Sequence, residues 1–476
     1  MRHDADAAEI LSALDWCVFA LLMAATVVAV LWGQRRRERV EPGEESLLDL
    51  LVMGRKLTLP LFVATLVATW YGGLFGVTGI VFENGIFGFF TQGVFWYGAY
   101  LLFAIFLVHR VHEHQAVTLP DLVGKMFGPR SAKLSAVFTF FNVLPIVYVI
   151  SLGALLEAIF GWPTIPSMAL GTLAVLLYST WGGLRAVVFS DLLQFWVMCS
   201  GVLLVAVFSV AEFGGLAFLQ ERLPASHFDI AGEQGWPVTI AWGMIALGTL
   251  VDPNFYQRCF AASSARVAKR GILASTLIWA AFDICTTTGA LYARALIPEA
   301  EPNQAYLSFA MQLLPDGVRG FVLAGITATI LSTLDSYLFI AGTAVAYDLW
   351  PGAEGSRVRR HHLGMFTVGA IAVGLAVVFD GNIERVWKLF GSYFTACLLL
   401  PMLAGHVWRG KIHDHAFCFA CVVGIVATTG WQVMERSGFW LHVDELYVGV
   451  LATGSALVAG TRLFRVERCA EPDSEV

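Results

Sequence analysis

Charge is what this sequence lacks. Asp, Glu, Lys and Arg together make up 14% of its 476 residues, where ordinary soluble domains carry about 25%. Hydrophobic residues supply 57% and the mean hydropathy is +0.70, so too little polar side chain remains to clothe a water-facing surface. That excludes a soluble enzyme and makes lipid the main solvent. Cysteine is sparse as well: eight residues, mostly inside apolar runs, give neither a disulfide framework nor a zinc ligand set. Cys418 and Cys421 do form a CxxC, but it sits in an apolar run without a second pair and reads as packing. A net charge of −6 with scattered basic clusters leaves no stripe for nucleic acid. No P-loop GxxxxGK[ST] occurs in any loop, so ATP hydrolysis is not expected. No linker rich in Pro or Ser divides the chain, which reads as one membrane domain over 1–476.

Long apolar runs are what is present. A membrane-crossing helix needs about 20 apolar residues, and candidates lie at 11–33, 57–82, 86–108, 134–158, 163–180, 187–211, 237–257, 271–293, 319–347, 363–380, 389–408, 414–434 and 445–464. The first is followed, not preceded, by Arg35, Arg36 and Arg37, so it reads as a permanent helix and not a cleaved signal. Alternating these spans from an outer N-terminus puts 23 of the 30 Lys and Arg residues on the inner side and 7 on the outer. The bias orients the chain N-terminus out and C-terminus cytoplasmic, in the cell (inner) membrane. A short cytoplasmic tail, 465–476, follows the last span, with no signalling or nucleotide-binding domain expected beyond it.

Two spans are interrupted. The second carries Trp70-Tyr71-Gly72-Gly73 at its middle, and the seventh carries Gly248 and then Asp252-Pro253. Irregular backbone at membrane depth survives only inside protein or along a cavity. Glycines also permit close helix packing, but these interruptions lie five spans apart. Matching breaks in two five-helix halves point to an inverted-repeat transporter with a midplane site.

Two segments then carry a family resemblance. Gly182-Gly183-Leu184-Arg185-Ala186-Val187-Val188-Phe189-Ser190-Asp191-Leu192-Leu193-Gln194 resembles the GGL-x-AV-x-x-[ST]D-x-x-Q signature of the sodium:solute symporter family, and Ser332-Thr333-Leu334-Asp335-Ser336 resembles its ST-x-DS helix. Gln257-Arg258 with Ala261 and Ala262 is similar to the segment after its interrupted sixth core helix. The resemblance implies an all-α polytopic membrane protein of the leucine-transporter type. Its five-plus-five core would comprise 57–211 and 237–408, with one helix before it (11–33) and two after (414–464). It also implies a sodium site between core helices one and eight. Sodium is a hard cation that wants oxygen ligands. The Ser332 and Thr333 hydroxyls suit it, with carbonyls from Thr329, Ala68 and Tyr71; the alternative for the two hydroxyls is bonding back to the preceding turn. The Tyr71-Gly72-Gly73 segment is one residue shorter than the commoner family pattern. By its signature position Asp191 would lie on the sodium release path.

Four carboxylates, Asp191, Asp252, Asp283 and Asp335, fall in or at the ends of spans, where acids are costly and usually functional. Asp335 would order the proposed ligands or meet inner water. Asp252 reads as an inner gate or a cap. Asp283 reads equally as a protonated packing residue, a second cation contact, or a partner for a substrate amine. His109, His112 and His114 with Glu113 form a compact group at an inner helix end, more a short loop than a metal site. Of the aromatics Trp70, Tyr71, Trp96, Tyr97 and Tyr393, Trp70 and Tyr71 flank the glycine break; aromatics there can close over a solute, although most membrane aromatics pack or anchor at interfaces. The solute site is expected at Trp70, Gly72, Gly73, Gln92, Gly248 and Tyr393; the resemblance implies Gln92, which falls where sugar-transporting members place a polar contact, while the Ile245 and Gly248 face is apolar where sugar carriers are polar, which argues against a sugar and towards a smaller or partly apolar solute. The expected function is sodium-coupled import of a small organic solute, by a monomer in lipid, with sodium as coupling ion and neither an enzyme's catalytic constellation nor a cofactor. The alternative is a transporter-like sensor working with a separate signalling partner.

Overall fold

In the computed structural model, residues 10–35, 44–180, 183–350, 357–438, 440 and 443–464 are described. Trp181 and Gly182 of the signature, the basic residues Arg2, Arg36, Arg37, Arg39, Arg465 and Arg468, and the tail 465–476 lie outside them. Among the described residues, eleven helices are long and apolar enough to cross a membrane, and three shorter apolar ones lie at Leu59–Ala68, Leu74–Asn84 and Thr164–Ser179. In chain order they are α1 (Ala13–Arg35), α2 (Leu59–Ala68), α3 (Leu74–Asn84), α4 (Ile86–Glu113), α5 (Pro129–Phe160, bent at 143–145), α6 (Thr164–Ser179) and α7 (Gly183–Phe213). The second half comprises α8 (Gly235–Ala246), α9 (Pro253–Ala261), α10 (Ala265–Leu296), α11 (Val318–Thr343), α12 (Arg357–Val378) and α13 (Ile383–Val407). Two more, α14 (Asp414–Val433) and α15 (Glu445–Leu463), pack on each other and on α13.

The interrupted spans are broken where the glycines and proline stand. α2 stops at Ala68 and α3 starts at Leu74, while α8 gives way at Leu247–Val251 to a 3₁₀ turn and an extended Asp252 before α9. Their ends are tied together: the Leu57 N–H donates to Ala261 O at 3.0 Å and the Ser263 N–H to Leu57 O at 3.0 Å. α11 is the most deeply buried span and packs against α7 and α1. Asp15 of α1 fixes that contact, since its Oδ1 accepts from the N–H groups of Gly317 and Gly320 at 2.7 and 2.9 Å and so caps α11 from a neighbouring helix. α10 separates its two solvents by face. Leu277 and Ile284, a heptad apart, are 75% and 56% exposed and meet lipid, whereas Trp279, Phe282 and Asp283 turn inward.

Two basic residues counted above as inner-loop charges are interior. Arg185 is buried and paired with Asp49 at 2.7 Å. Arg258 is fully buried in α9, because register places it one turn beyond Asn254, whose Oδ1 accepts from its Nη1 at 3.2 Å. At the helix end near His109, the structure disperses the polar group. The Arg409 guanidinium donates to Glu113 at 2.8 Å, His112 Nδ1 lies 3.5 Å from Cys259 O, and burial with the Arg409 charge holds His114 below the usual imidazole range.

Candidate functional site

The end of α2 leaves the Ala68 carbonyl without a helical donor, and α11 supplies side chains to it. Ser332 Oγ donates to Ala68 O at 2.7 Å and lies 3.2 Å from Thr329 O; Thr333 Oγ1 lies 3.3 Å from Ala68 O and 3.0 Å from Thr329 O. Two hydroxyls and two carbonyls therefore converge in the buried interior, with Ser332 and Thr333 each at most 1% exposed. The hydroxyls do bond back to the preceding turn, and the same geometry reaches across to the broken helix. All four atoms are hard oxygens, the donor type sodium selects. Tyr71 O accepts the Leu74 N–H at 3.0 Å, and the next residue, Gly72, lies so close to α11 that a Cβ there would stand 2.5 Å from Thr333 Cβ. Only glycine permits that approach.

A polar track continues along α2. Thr65 Oγ1 donates to Asp191 Oδ2 at 2.5 Å, while Asp191 Oδ1 and Asp335 Oδ1 are buried and have no hydrogen-bond partner among the described residues. Buried acceptors of this kind are ordinarily hydrogen-bonded, which sets these two carboxylates apart from the satisfied polar groups around them. Arg258 closes the group: its Nη2 donates to Thr69 Oγ1 at 2.8 Å and to Ser336 Oγ at 2.9 Å, so one side chain joins α9, the α2 break and α11. Sequence reasoning did not single out Thr65, Thr69, Ser336 or Arg258 as site residues. The signal for Arg258 was its i, i+4 spacing from Asn254.

A cavity of about 1090 Å³, its open mouth included, lies between the two breaks, the α5 bend and α13. Trp70, Gly73, Gln92 and Gly248 line it, as do Trp96, Trp242, Trp387 and Asp252. Gly72 does not; it faces Thr333 and Tyr148. Tyr393 corrects an expectation, for its hydroxyl lies 2.8 Å from Thr429 Oγ1 and donates to Gln432 at 3.1 Å, on α14. The cavity face of α13 is Trp387, Phe390, Gly391 and Phe394, an i, i+3, i+4, i+7 stripe that Tyr393 falls outside. Asp252 is a cap: its Oδ1 accepts from the N–H groups of Asn254 and Phe255 at 2.9 and 3.2 Å. Asp283 is clamped by two phenols, Tyr71 donating to Oδ1 at 2.7 Å and Tyr97 to Oδ2. The Tyr71 side chain thus points away from the oxygen cluster that its backbone adjoins.

A helical membrane protein with paired broken helices, a polar oxygen cluster at one break and a central cavity is a secondary transporter of the leucine-transporter type. Solved structures agree on the fold. A Na+-coupled sialic acid symporter in a substrate-bound outward-open state superposes with a TM-score of 0.76 at 15% identity, covering 95% of this chain and 98% of that one. MhsT in complex with L-phenylalanine gives 0.55 at 13% identity, covering 85% and 98%. The model of the sodium:solute symporter family matches residues 51–412, and the chain belongs to that family. It is 26% identical to a sodium/glucose cotransporter of Vibrio parahaemolyticus, over 83% of this chain and 76% of the relative. It is also 26% identical to an osmoregulated proline transporter of Bacillus subtilis, over 75% and 77%. Membership makes the protein a transporter that couples a small solute to sodium.

Proposed function

We propose that the protein imports a small organic solute with sodium through alternating access about the two breaks, the ion held by Ala68, Tyr71, Thr329, Ser332 and Thr333 and released past Asp191. The observation that carries this reading is the convergence of Ser332 Oγ and Thr333 Oγ1 on the carbonyls of Ala68 and Thr329. The cluster joins the end of α2 to α11. A cation bound there stabilises the arrangement in which these two helices meet, and its loss frees them to part. Solute binds beside the cluster, at Trp70, Gly73, Gln92 and Gly248, and the Tyr71–Gly72 backbone is shared by both sites.

The two five-helix units are 57–211 and 237–408, the N-terminus faces outward, and one chain suffices for transport without a catalytic step. Sodium entry supplies the drive: about 2.3 kcal/mol per charge across 100 mV and about 1.4 kcal/mol for a tenfold gradient. The roughly 4 kcal/mol total supports solute accumulation on the order of a thousandfold. Proteoliposomes given an inward sodium gradient should take up solute, and an equal potassium or proton gradient should not. Uptake indifferent to the cation contradicts the reading.

A further inference from the structure

The central cavity has an uneven chemistry. Trp70, Trp96, Trp242 and Trp387 line it together with Tyr148, and among the described residues its one charged lining residue is Asp252. Among the described residues no Lys, Arg or His lines the wall. Ring faces carry a negative quadrupole that attracts cations, and the α9 N-terminus, where a broken helix would present its positive end to an anion, is already met by Asp252 itself. The two backbone donors engage one Asp252 oxygen only. Arg258 does not cancel this carboxylate by contact: its hydrogen bonds go to Asn254, Thr69 and Ser336, and among the described residues it forms no ion pair. Asn142 Oδ1, a further acceptor on the cavity wall, has no hydrogen-bond partner among the described residues.

We infer that the transported solute is an organic cation, a positively charged nitrogen on a small apolar body, held between the tryptophan faces and Asp252. This rests on the symport reading and narrows it. An anion would find no cation on the wall and would lie against a carboxylate. A neutral polyol would cover ring faces with hydroxyls that most of the wall cannot bond.

The experiment follows thermal stability of the purified full chain with matched probes: choline, its uncharged carbon isostere 3,3-dimethylbutan-1-ol, the anion 3,3-dimethylbutanoate, and 2-phenylethylammonium. Each is titrated in sodium and in potassium. A cationic probe should stabilise the protein in sodium at concentrations about tenfold or more below those at which the neutral isostere acts. The anion should not stabilise it. Asp252→Asn retains a side chain that caps about as well as aspartate while removing the charge. It should keep the sodium response and lose the preference for cation over isostere. Trp387→Leu should weaken cation and isostere unequally, the cation more.

Equal stabilisation by cation and isostere, stabilisation by the anion alone, or a response to neither cation overturns the inference, whatever sodium does. A sodium-induced shift that persists in such a case leaves the symport reading standing. Absence of any sodium shift overturns the symport reading itself, and the contrast between cation and isostere measured in potassium then decides the inference alone.

Discussion

The two helix breaks are made by different means and present different chemistry. At the first, glycines let the chain pass within van der Waals distance of α11, and the freed carbonyl of Ala68 meets the hydroxyls of Ser332 and Thr333. At the second, Pro253 opens α9 and Asp252 caps it, so the helix end is satisfied by its own side chain. The first break is a cage of small oxygens, and the second belongs to the wall of an aromatic cavity. A small hard cation wants the former, and a solute with bulk and surface wants the latter. On the proposed function one architectural device, the interrupted helix, would serve two ligands, with the Tyr71–Gly73 turn between the oxygen cluster and the cavity.

The sharpest way to break this contrast is to remove the oxygens. Replacing Ser332 and Thr333 together by alanine should raise the sodium concentration for half-maximal uptake by at least about 10- to 100-fold, since losing even an outer-shell partner of a metal ligand costs that much. Sodium titration of uptake measures it. Next come the glycines. A Cβ at Gly72 would stand 2.5 Å from Thr333 Cβ and 2.7 Å from Tyr148 Cδ1. Gly72→Ala should therefore cost about 1–3 kcal/mol of stability and weaken the sodium response. Gly248→Ala meets one hydroxyl, Thr395 Oγ1, at 2.5 Å. That group can rotate, so thermal denaturation should show a smaller loss and an intact sodium response. Smaller again is the cap: Asp252→Ala should lower stability by about 1 kcal/mol, leaving the sodium affinity of the first break unchanged. Smallest is Tyr393→Phe, which loses hydrogen bonds only on the α14 side. It should shift stability by no more than about 0.5 kcal/mol and leave uptake kinetics as they are.

Much of this was legible in the sequence because the signals are local. Apolar runs marked the spans, and Gly72, Gly73, Gly248 and Pro253 marked where two of them break, since each residue states its own backbone requirement. The adjacent hydroxyls of Ser332 and Thr333 drew attention through their chemistry and the segment around them. What escaped is what long-range packing decides. Tyr97 and Asp283 lie 186 residues apart, and no spacing announces that two tyrosines hold one carboxylate. Arg258 looked like a loop charge because basic residues follow spans, yet it is buried against Thr69 and Ser336. Tyr393 was drawn in by residue type when the Trp387, Phe390 and Phe394 stripe already defined a different face of α13.

On the proposed function, the sodium site lies where the first break meets α11. Thermal unfolding of the purified protein, with sodium chloride titrated against potassium chloride at constant ionic strength, tests it without knowledge of the solute. The account predicts a saturable sodium-specific rise in Tm in the native chain, displaced to much higher sodium in the Ser332→Ala, Thr333→Ala double variant. Equal responses to sodium and potassium, or a sodium response unchanged in the double variant, would contradict it.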